Sequence, residues 1–185
     1  MNKIILASAS PRRKELLETA GAEFEIVVAD VDETVPEGTK PEDAAVMTAE
    51  KKAVAVAENH KDSIVIGADT IVVAGGKILG KPADKSDACR MLSMLSGVEH
   101  NVVTGVCLVC GDKKSTFAQV SKVKFYELTE AEIEAYVETG EPMDKAGAYG
   151  IQGKGCVLVE KIEGDYFNIV GLPVARVIKE LSKFM

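Results

Sequence analysis

The sequence is poor in the residues that build disulfide scaffolds and histidine-based metal sites. Its 185 residues include four cysteines and two histidines. Four scattered cysteines are too few for the framework of a secreted disulfide-rich protein. Neither His60 nor His100 lies near another candidate ligand in the sequence, so a zinc site is not expected. Cys107 and Cys110 have C-x-x-C spacing, but residues three apart in a strand face opposite sides, which argues against joint metal binding.

Long hydrophobic runs and an excess of basic charge are also missing. No apolar run approaches the length needed to span a bilayer, and the short run near the N-terminus is followed by arginines rather than by a cleavage site. The 29 acidic residues outnumber the 22 basic ones, and the formal net charge is −7. This balance argues against a general nucleic-acid binder, although a local cluster of cations can still hold a small anion. We therefore expect a soluble cytoplasmic protein with no nucleic-acid or membrane partner.

The length and the hydrophobic patterns predict one α/β domain. A chain with 46% hydrophobic residues is typical of a folded protein, and we expect a single two-lobed domain over residues 1–185. Helix and strand patterns mix without strict alternation, so the expected architecture is a mixed sheet flanked by helices. Thr129 and Glu132 predict a capping box at one helix start. The predicted helices cover 11–20, 41–60, 84–96, 129–139 and 173–184, and the predicted strands cover 4–7, 24–28, 63–68, 71–73, 77–79, 102–110, 115–127 and 156–162.

The turn after the first predicted strand has the features of an anion site at a helix N-terminus. Pro11 suits the first helical position, and Ser10 is the natural N-cap. Arg12 and Arg13 then stand against the positive end of the helix dipole, which costs stability unless something negative lies in front of them. Free amides, the hydroxyls of Ser8 and Ser10, and two guanidinium groups favour phosphate. The alternative is a solvated basic turn with no ligand.

Asp69 and Glu33 are the candidate carboxylates. Asp69 follows a buried β-branched run, and ligands of open α/β sheets bind beyond the carboxyl ends of strands. The alternative is that Asp69 and Thr70 simply begin a turn. Glu33 lies in a polar, acidic loop that by itself reads as solvated. Brought together, the two carboxylates can hold Mg²⁺, which takes one or two protein carboxylates plus water and substrate phosphates.

Lys52 and Lys81 are the candidate lysines. Lys52 lies in the middle of a predicted helix, where a lysine is usually surface decoration, whereas Lys81 is held between Gly80 and Pro82. The stretch 75–81 matches the first part of a P-loop. A P-loop NTPase is nevertheless rejected, because Pro82 stands where the magnesium-binding hydroxyl is needed and the strand, loop and helix order is broken.

The predicted loop over residues 141–153 is rich in glycine and carries one tyrosine and one glutamine within 144–153. Glycines at this density let the backbone approach a ligand closely. Tyr149 could pack on a nucleobase ring, and Gln152 offers both a donor and an acceptor to a base edge. The alternative is a mobile loop without a role.

Six short motifs follow one another along the chain: Ser8–Arg13, Gly67–Thr70, Leu79–Pro82, Asp144–Gly153, Gly164–Tyr166 and Val170–Pro173. In this order they resemble the Maf family of nucleoside triphosphate pyrophosphatases, and the resemblance covers the chain from end to end. It implies a mixed α/β fold of the inosine triphosphatase type, commonly dimeric. The implied reaction cleaves a nucleoside triphosphate between its α- and β-phosphates, with a divalent metal, Mg²⁺ or Mn²⁺.

The resemblance also implies roles for individual residues. Asp69 matches the proton acceptor, and Glu33 with Asp69 is the expected metal pair. The expected substrate-binding residues, from the anion site and the resemblance together, are Ser8, Ser10, Arg12, Arg13, Lys52 and Lys81. The positions tied to substrate choice are Arg12, Thr70 and Gln152.

The expected activity is therefore that of a dTTP/UTP pyrophosphatase, because the 144–153 loop resembles the branch of the family acting on those nucleotides. Whether Asp69 serves as general base, as metal ligand or as both stays open at this point. Two alternatives are also open. One is a nucleotide-binding regulator of cell division or septum formation, and the other is the same hydrolysis acting on a modified purine or another non-standard nucleotide.

Overall fold

The computed structural model describes residues 2–185, which form a seven-stranded mixed sheet with six α-helices. The strands are β1 (Ile4–Leu6), β2 (Phe24–Ile26), β3 (Ile64–Ala74), β4 (Lys77–Leu79), β5 (Glu99–Cys110), β6 (Lys113–Phe125) and β7 (Val159–Glu163). The helices are α1 (Pro11–Thr19), α2 (Pro41–Ala57), α3 (Lys85–Leu95), α4 (Glu130–Glu138), α5 (Tyr166–Val170) and α6 (Val174–Leu181). Short 3-10 helices cover Glu141–Asp144, Ala146–Ala148 and Gly153–Leu158.

The strand order is β2-β1-β3-β5-β6-β7, with β4 paired to β3. β1 runs parallel to both β2 and β3, whereas β3 with β4 and β6 with β7 are antiparallel pairs. A mixed sheet flanked by helices is therefore confirmed. The chain divides into two compact units, the first made of residues up to Thr70, Thr104–Gln119 and Gly171–Met185, and the second of Ile71–Val103 and Val120–Val170.

In the first unit, α2 packs closely on β3 and β5 because small residues face one another. A side-chain carbon at Gly67 would overlap the Ala49 carbonyl oxygen, and one at Gly105 would overlap the backbone of Ala45. Ala45 and Ala49 are themselves fully buried. The alanine-rich sequence of α2 thus serves close packing as well as helix propensity. Pro41 at the first helical position begins the helix, as its fixed φ predicts.

In the second unit, the core lies between α3, α4 and the sheet residues of this unit. Leu92 and Leu95 of α3 and Phe125 of β6 are fully buried there. Thr129 and Glu132 form the predicted capping box, with both the side-chain and backbone hydrogen bonds present. The helix start that the sequence predicts at this point is therefore confirmed.

Several predicted boundaries are wrong. β3 does not stop at Ala68 but continues to Ala74, because the hairpin partner β4 extends its pairing. Residues 156–158 form a 3-10 helix rather than the start of a strand. The short α5 was not predicted, and β5 begins at Glu99 rather than at 102.

The remaining sequence-based exclusions concern cysteines and membranes. Cys89, Cys107, Cys110 and Cys156 are all free thiols, and burial raises the pKa of Cys107 to about 12. Within residues 2–185, no helix is both long enough and apolar enough to cross a bilayer.

Candidate functional site

Arg13 is the centre of a buried hydrogen-bond network in the first unit. Its Nε donates to the Gly171 carbonyl at 2.8 Å, Nη1 to the Ser8 hydroxyl at 3.1 Å, and Nη2 to Thr70 Oγ1 at 3.0 Å. Arg13 is only 9% exposed. The network joins the turn between β1 and α1 to β3 and to the segment before α6. Arg13 is thus a positioning residue for this turn, and its direct binding of phosphate stays a prediction.

The guanidinium of Arg13 keeps a positive charge inside the first unit. Burial lowers the pKa of Arg13, the neighbouring Asp69 carboxylate raises it, and Arg12 lowers it again. An arginine remains protonated even after such a decrease, because its pKa starts far above neutrality. A cation with little access to water attracts an anion more strongly than an exposed one does.

Thr70 and Thr104 complete the network. Thr70 Oγ1 lies 2.9 Å from Thr104 Oγ1 and 3.3 Å from the Gly171 carbonyl oxygen, which accepts the longer bond. Thr104 is fully buried. Thr104 is a functional candidate that none of the sequence motifs contains, although its hydroxyl in the otherwise apolar stretch at the end of β5 is a usable signal.

Lys52 lies between the two candidate carboxylates. Its Nζ is 2.9 Å from Asp69 Oδ1 and 2.9 Å from Glu33 Oε1. The side chains of Lys52 and Asp69 are 13% and 17% exposed, whereas that of Glu33 is 59% exposed. Lys52 is therefore not a surface lysine of the usual kind, and its role in substrate binding stays a prediction. α2, β3 and the loop before α2 each supply one member of this cluster, which we call the Lys52 cluster.

The loop that carries Glu33 is fastened to α2 by the neighbouring lysine. Lys51 Nζ donates to the carbonyl oxygens of Asp32 and Thr34 at 3.0 and 2.7 Å. The Thr34 backbone also donates to Asp32 Oδ1 at 2.9 Å, and hydrogen bonds from Thr34 hold the pKa of Asp32 below its ordinary value. Asp32 therefore stabilises the turn that presents Glu33.

Asp69 does not lie at the end of its strand, as predicted, but it still lies at the edge of the parallel pairing, where a ligand can reach it. Asp69 lies inside β3 and not at its end. However, the parallel pairing of β3 with β1 ends at Ile66, opposite Leu6. Asp69 and Ser8 thus both lie just beyond the last parallel pair, at the carboxyl edge where ligands of such sheets bind.

The Lys52 cluster fits a divalent cation on the chemistry of its donors. Asp69 and Glu33 contact the same ammonium group, so a positive charge already lies between two carboxylates. Among residues 2–185 there is no group of three or more acidic, histidine or cysteine side chains that could hold a metal. Mg²⁺ commonly takes one or two protein carboxylates and completes its shell with water and phosphate oxygens. The pair suits a metal that arrives with its substrate.

Four other predicted site residues belong neither to the Lys52 cluster nor to the side-chain hydrogen bonds of Arg13 described above. Ser10 occupies the N-cap of α1, but its side chain makes no capping hydrogen bond. Arg12 is half-buried in the first turn of α1. Lys81 and Gln152 belong to the second unit, where Lys81 is exposed and Gln152 is half-buried. Their roles in substrate binding and choice stay predictions.

Tyr149 contradicts the expectation that its ring packs on a nucleobase. It is 5% exposed, and its ring makes edge-to-face contacts with His100 and Phe125. Its hydroxyl lies 2.9 Å from His100 Nε2. The ring is thus part of the core of the second unit and is unavailable to a ligand.

Comparison with known proteins identifies the family. Residues 3–184 match the family model described as Maf-like protein. This chain belongs to the Maf family. Its Maf relatives include proteins named dTTP/UTP pyrophosphatase from Bacillus anthracis and Bacillus cereus, each 55% identical over 184 residues, covering 100% of this chain and 96% of theirs. A Bacillus cytotoxicus protein of the same name is 54% identical with the same coverage.

Solved structures support the fold of this Maf protein. The Ham1 protein of Staphylococcus aureus superposes with a TM-score of 0.53 at 14% identity, covering 83% of this chain and 78% of the other. A HAM1 protein from Coxiella burnetii gives a TM-score of 0.52 at 15% identity, covering 99% and 100%. Likeness at such low identity bears on the fold alone, and the predicted fold class is confirmed.

Proposed function

We propose that this Maf protein hydrolyses dTTP and UTP to the nucleoside monophosphate and pyrophosphate. Relatives named for that activity are 54–55% identical over essentially their whole length. The structural observation that carries the proposal is the Lys52 cluster beside the Arg13 network. The Lys52 cluster supplies carboxylates that can activate a water molecule or bind a metal. Lys52 and Arg13 supply buried positive charges that favour phosphate.

The turn between β1 and α1 is the proposed triphosphate contact. The first backbone N–H groups of α1 have no partner inside the helix, and the dipole adds a partial positive charge there. Arg13 holds the Ser8 hydroxyl at this turn, and Ser8 in turn accepts the Ser10 backbone N–H at 3.2 Å. We assign phosphate binding to Ser8, Ser10, Arg12, Arg13, Lys52 and Lys81.

Asp69 is the proposed proton acceptor. Water attacks the α-phosphorus and transfers a proton to an Asp69 oxygen, while the bond to the β-phosphate breaks and pyrophosphate leaves with the electron pair. Lys52 orients the carboxylate, because its ammonium holds Oδ1 at 2.9 Å. The cations of the turn stabilise the negative charge that grows on the leaving group. A divalent metal bound by Asp69 and Glu33, Mg²⁺ or Mn²⁺, would supply further charge neutralisation.

Substrate choice is assigned to Arg12, Thr70 and Gln152. We further propose a cytoplasmic homodimer without nucleic-acid or membrane partners, in line with the net charge of −7 and the family resemblance.

A nucleotide panel tests the proposal directly. Purified protein with Mg²⁺ or Mn²⁺ is assayed on dTTP, UTP, CTP, 7-methyl-GTP and ITP, and the products are separated by chromatography. We expect monophosphate and pyrophosphate, with kcat/KM for dTTP and UTP at least about tenfold above that for the purines. Release of diphosphate and phosphate would contradict the bond assignment. A purine preference would contradict the specificity assignment, and binding of dTTP without any turnover would support the nucleotide-binding regulator instead.

A further inference from the structure

The glycine-rich segment that carries Gln152 is clamped by one carboxylate. Glu141 Oε1 accepts the Tyr136 hydroxyl proton at 2.9 Å and the Gly155 backbone N–H at 3.0 Å. Glu141 Oε2 accepts the Lys154 backbone N–H at 2.9 Å. Both oxygens are therefore used within the second unit, and they bind the chain on the C-terminal side of Gln152.

Tyr136 extends the clamp to the other side of Gln152. Its hydroxyl accepts the Gly150 backbone N–H at 3.1 Å while it donates to Glu141. A hydroxyl that donates to a charged acceptor becomes a better acceptor itself, so the two bonds strengthen each other. Tyr136 is 5% exposed, which keeps water from competing for these bonds. We call Glu141 and Tyr136 together the Glu141 clamp.

Gly153 and Gly155 lie so close to Glu141 and Tyr136 that neither position has room for a side chain. Gly153 has φ of +69°, and a side-chain carbon there would lie 2.8 Å from Glu141 Oε2. At Gly155 such a carbon would overlap the Gly150 carbonyl and lie 2.7 Å from the Tyr136 hydroxyl oxygen. The backbone thus approaches the clamp as closely as glycine permits.

Glu141 is ionised near neutrality. Burial raises the pKa of Glu141, but hydrogen bonds from Lys154, Gly155 and Tyr136 and the charge of Lys145 outweigh it, so that the pKa is lowered. Lys145 Nζ donates to the Glu141 carbonyl oxygen at 2.6 Å and to Asp144 Oδ1 at 2.7 Å, which keeps this cation beside the clamp. Hydrogen bonds to an ionised acceptor are roughly twice as strong as neutral ones.

We propose that Glu141 is a positioning residue for nucleobase recognition, because it binds the backbone after Gln152 directly and the backbone before it through the Tyr136 hydroxyl. The inference rests on the proposed function, since it takes Gln152 as the residue that reads the base. Within its own unit, no described residue hydrogen-bonds the Gln152 side chain. Its direction therefore depends on the backbone that the Glu141 clamp holds.

The clamp is tested with Glu141→Gln and a matched control, Glu138→Gln, whose exposed carboxylate pairs with Lys85. Amide hydrogen exchange of Lys154 and Gly155 is expected to rise by about tenfold or more in Glu141→Gln and by less than about twofold in the control. The ratio of kcat/KM for dTTP to that for ITP is expected to fall by about tenfold, also only in Glu141→Gln. Unchanged exchange and an unchanged ratio would overturn the proposal.

A double-mutant cycle tests whether Glu141 acts through Gln152. In a Gln152→Ala background, Glu141→Gln should change the selectivity ratio by less than about twofold, because the group it positions is gone. A full additional loss would overturn the coupling. Should Glu141→Gln fail to fold, Tyr136→Phe removes the Tyr136 hydroxyl bonds and keeps the ring. A wild-type protein without turnover would contradict the proposed function alone, while amide exchange and the binding preference for dTTP over ITP would still decide the role of Glu141.

Discussion

The Lys52 ammonium lies 2.9 Å from Asp69 Oδ1, and both side chains are mostly buried. A lysine and an aspartate that meet with little water around them orient each other, since each would lose hydration without a partner. An asparagine, which has the same shape and no charge, can take the place of Asp69, because its amide oxygen can still accept a hydrogen bond from Lys52.

Asp69→Asn is expected to fold and to bind dTTP but to lose turnover by roughly 10²–10⁴-fold, the usual effect of removing a general base. The assay is pyrophosphate release under saturating nucleotide. Asp30→Asn is the control, because Asp30 is an exposed acid of the loop that carries Glu33. Wild-type turnover by Asp69→Asn would refute the assignment of the proton acceptor.

Arg13→Lys is expected to destabilise the fold by about 3 kcal/mol. A lysine ammonium cannot reach Ser8, Thr70 and the Gly171 carbonyl at once. Each hydrogen bond from a charged donor that is lost lowers the free energy of unfolding by about 1.5–3 kcal/mol. The measurement is the free energy of unfolding from urea denaturation. The control is Lys14→Gln.

The control residue is the next one along α1. Lys14 is exposed and lies 3.6 Å from Glu18, a surface pair whose loss should cost below about 1 kcal/mol. Equal effects of the two substitutions would show that the Arg13 network carries no stability of its own.

Features that depend on sequence neighbours could be predicted. Pro11 at the start of α1 and the Thr129–Glu132 capping box both follow from residues a few positions apart. The same holds for the rejection of a P-loop, which followed from Pro82 and from the order of the neighbouring elements. Local rules of this kind need no knowledge of the tertiary structure.

Features that depend on distant partners could not be predicted. Thr104 meets Thr70 across 34 residues, and no local pattern reports that distance. The first three residues of the strand predicted over 156–162 belong instead to a 3-10 helix. The backbone N–H groups of Lys154 and Gly155, just before them, are bound by the distant Glu141 carboxylate. The glycine-rich sequence around Tyr149 is typical of a ligand-binding loop, yet the Tyr149 ring packs against Phe125 in the core.

Gly105→Ala is expected to lower the free energy of unfolding by about 3 kcal/mol or more. Its new methyl group would overlap the backbone of Ala45, and backbone in a helix cannot move aside as a flexible side chain can. Gly80→Ala is the control, because that site has open space, and its stability should stay within about 1 kcal/mol of the wild type. Thermal or urea unfolding provides the measurement. A Gly105→Ala protein of normal stability would contradict the close packing of α2.

His100 is expected to make the fold sensitive to acid. It is 2% exposed, and burial lowers its pKa from 6.5 to about 4, against smaller opposite effects of the Val98 backbone and the Glu99 charge. Between those two values the unfolded chain binds a proton that the folded protein does not. Stability is therefore lost as the pH falls from 6.5 towards 4, by about 3 kcal/mol in total.

The variant His100→Gln isolates this contribution. Glutamine does not titrate and can still bond the Tyr149 hydroxyl, the polar group that faces the ring beside Phe125. Urea unfolding at about pH 7 and about pH 4.5 should show a loss smaller by about 2 kcal/mol in His100→Gln than in the wild type, because this interval covers most of the His100 titration and the carboxylates titrate alike in both. Parallel pH profiles for wild type and His100→Gln would contradict a buried neutral histidine.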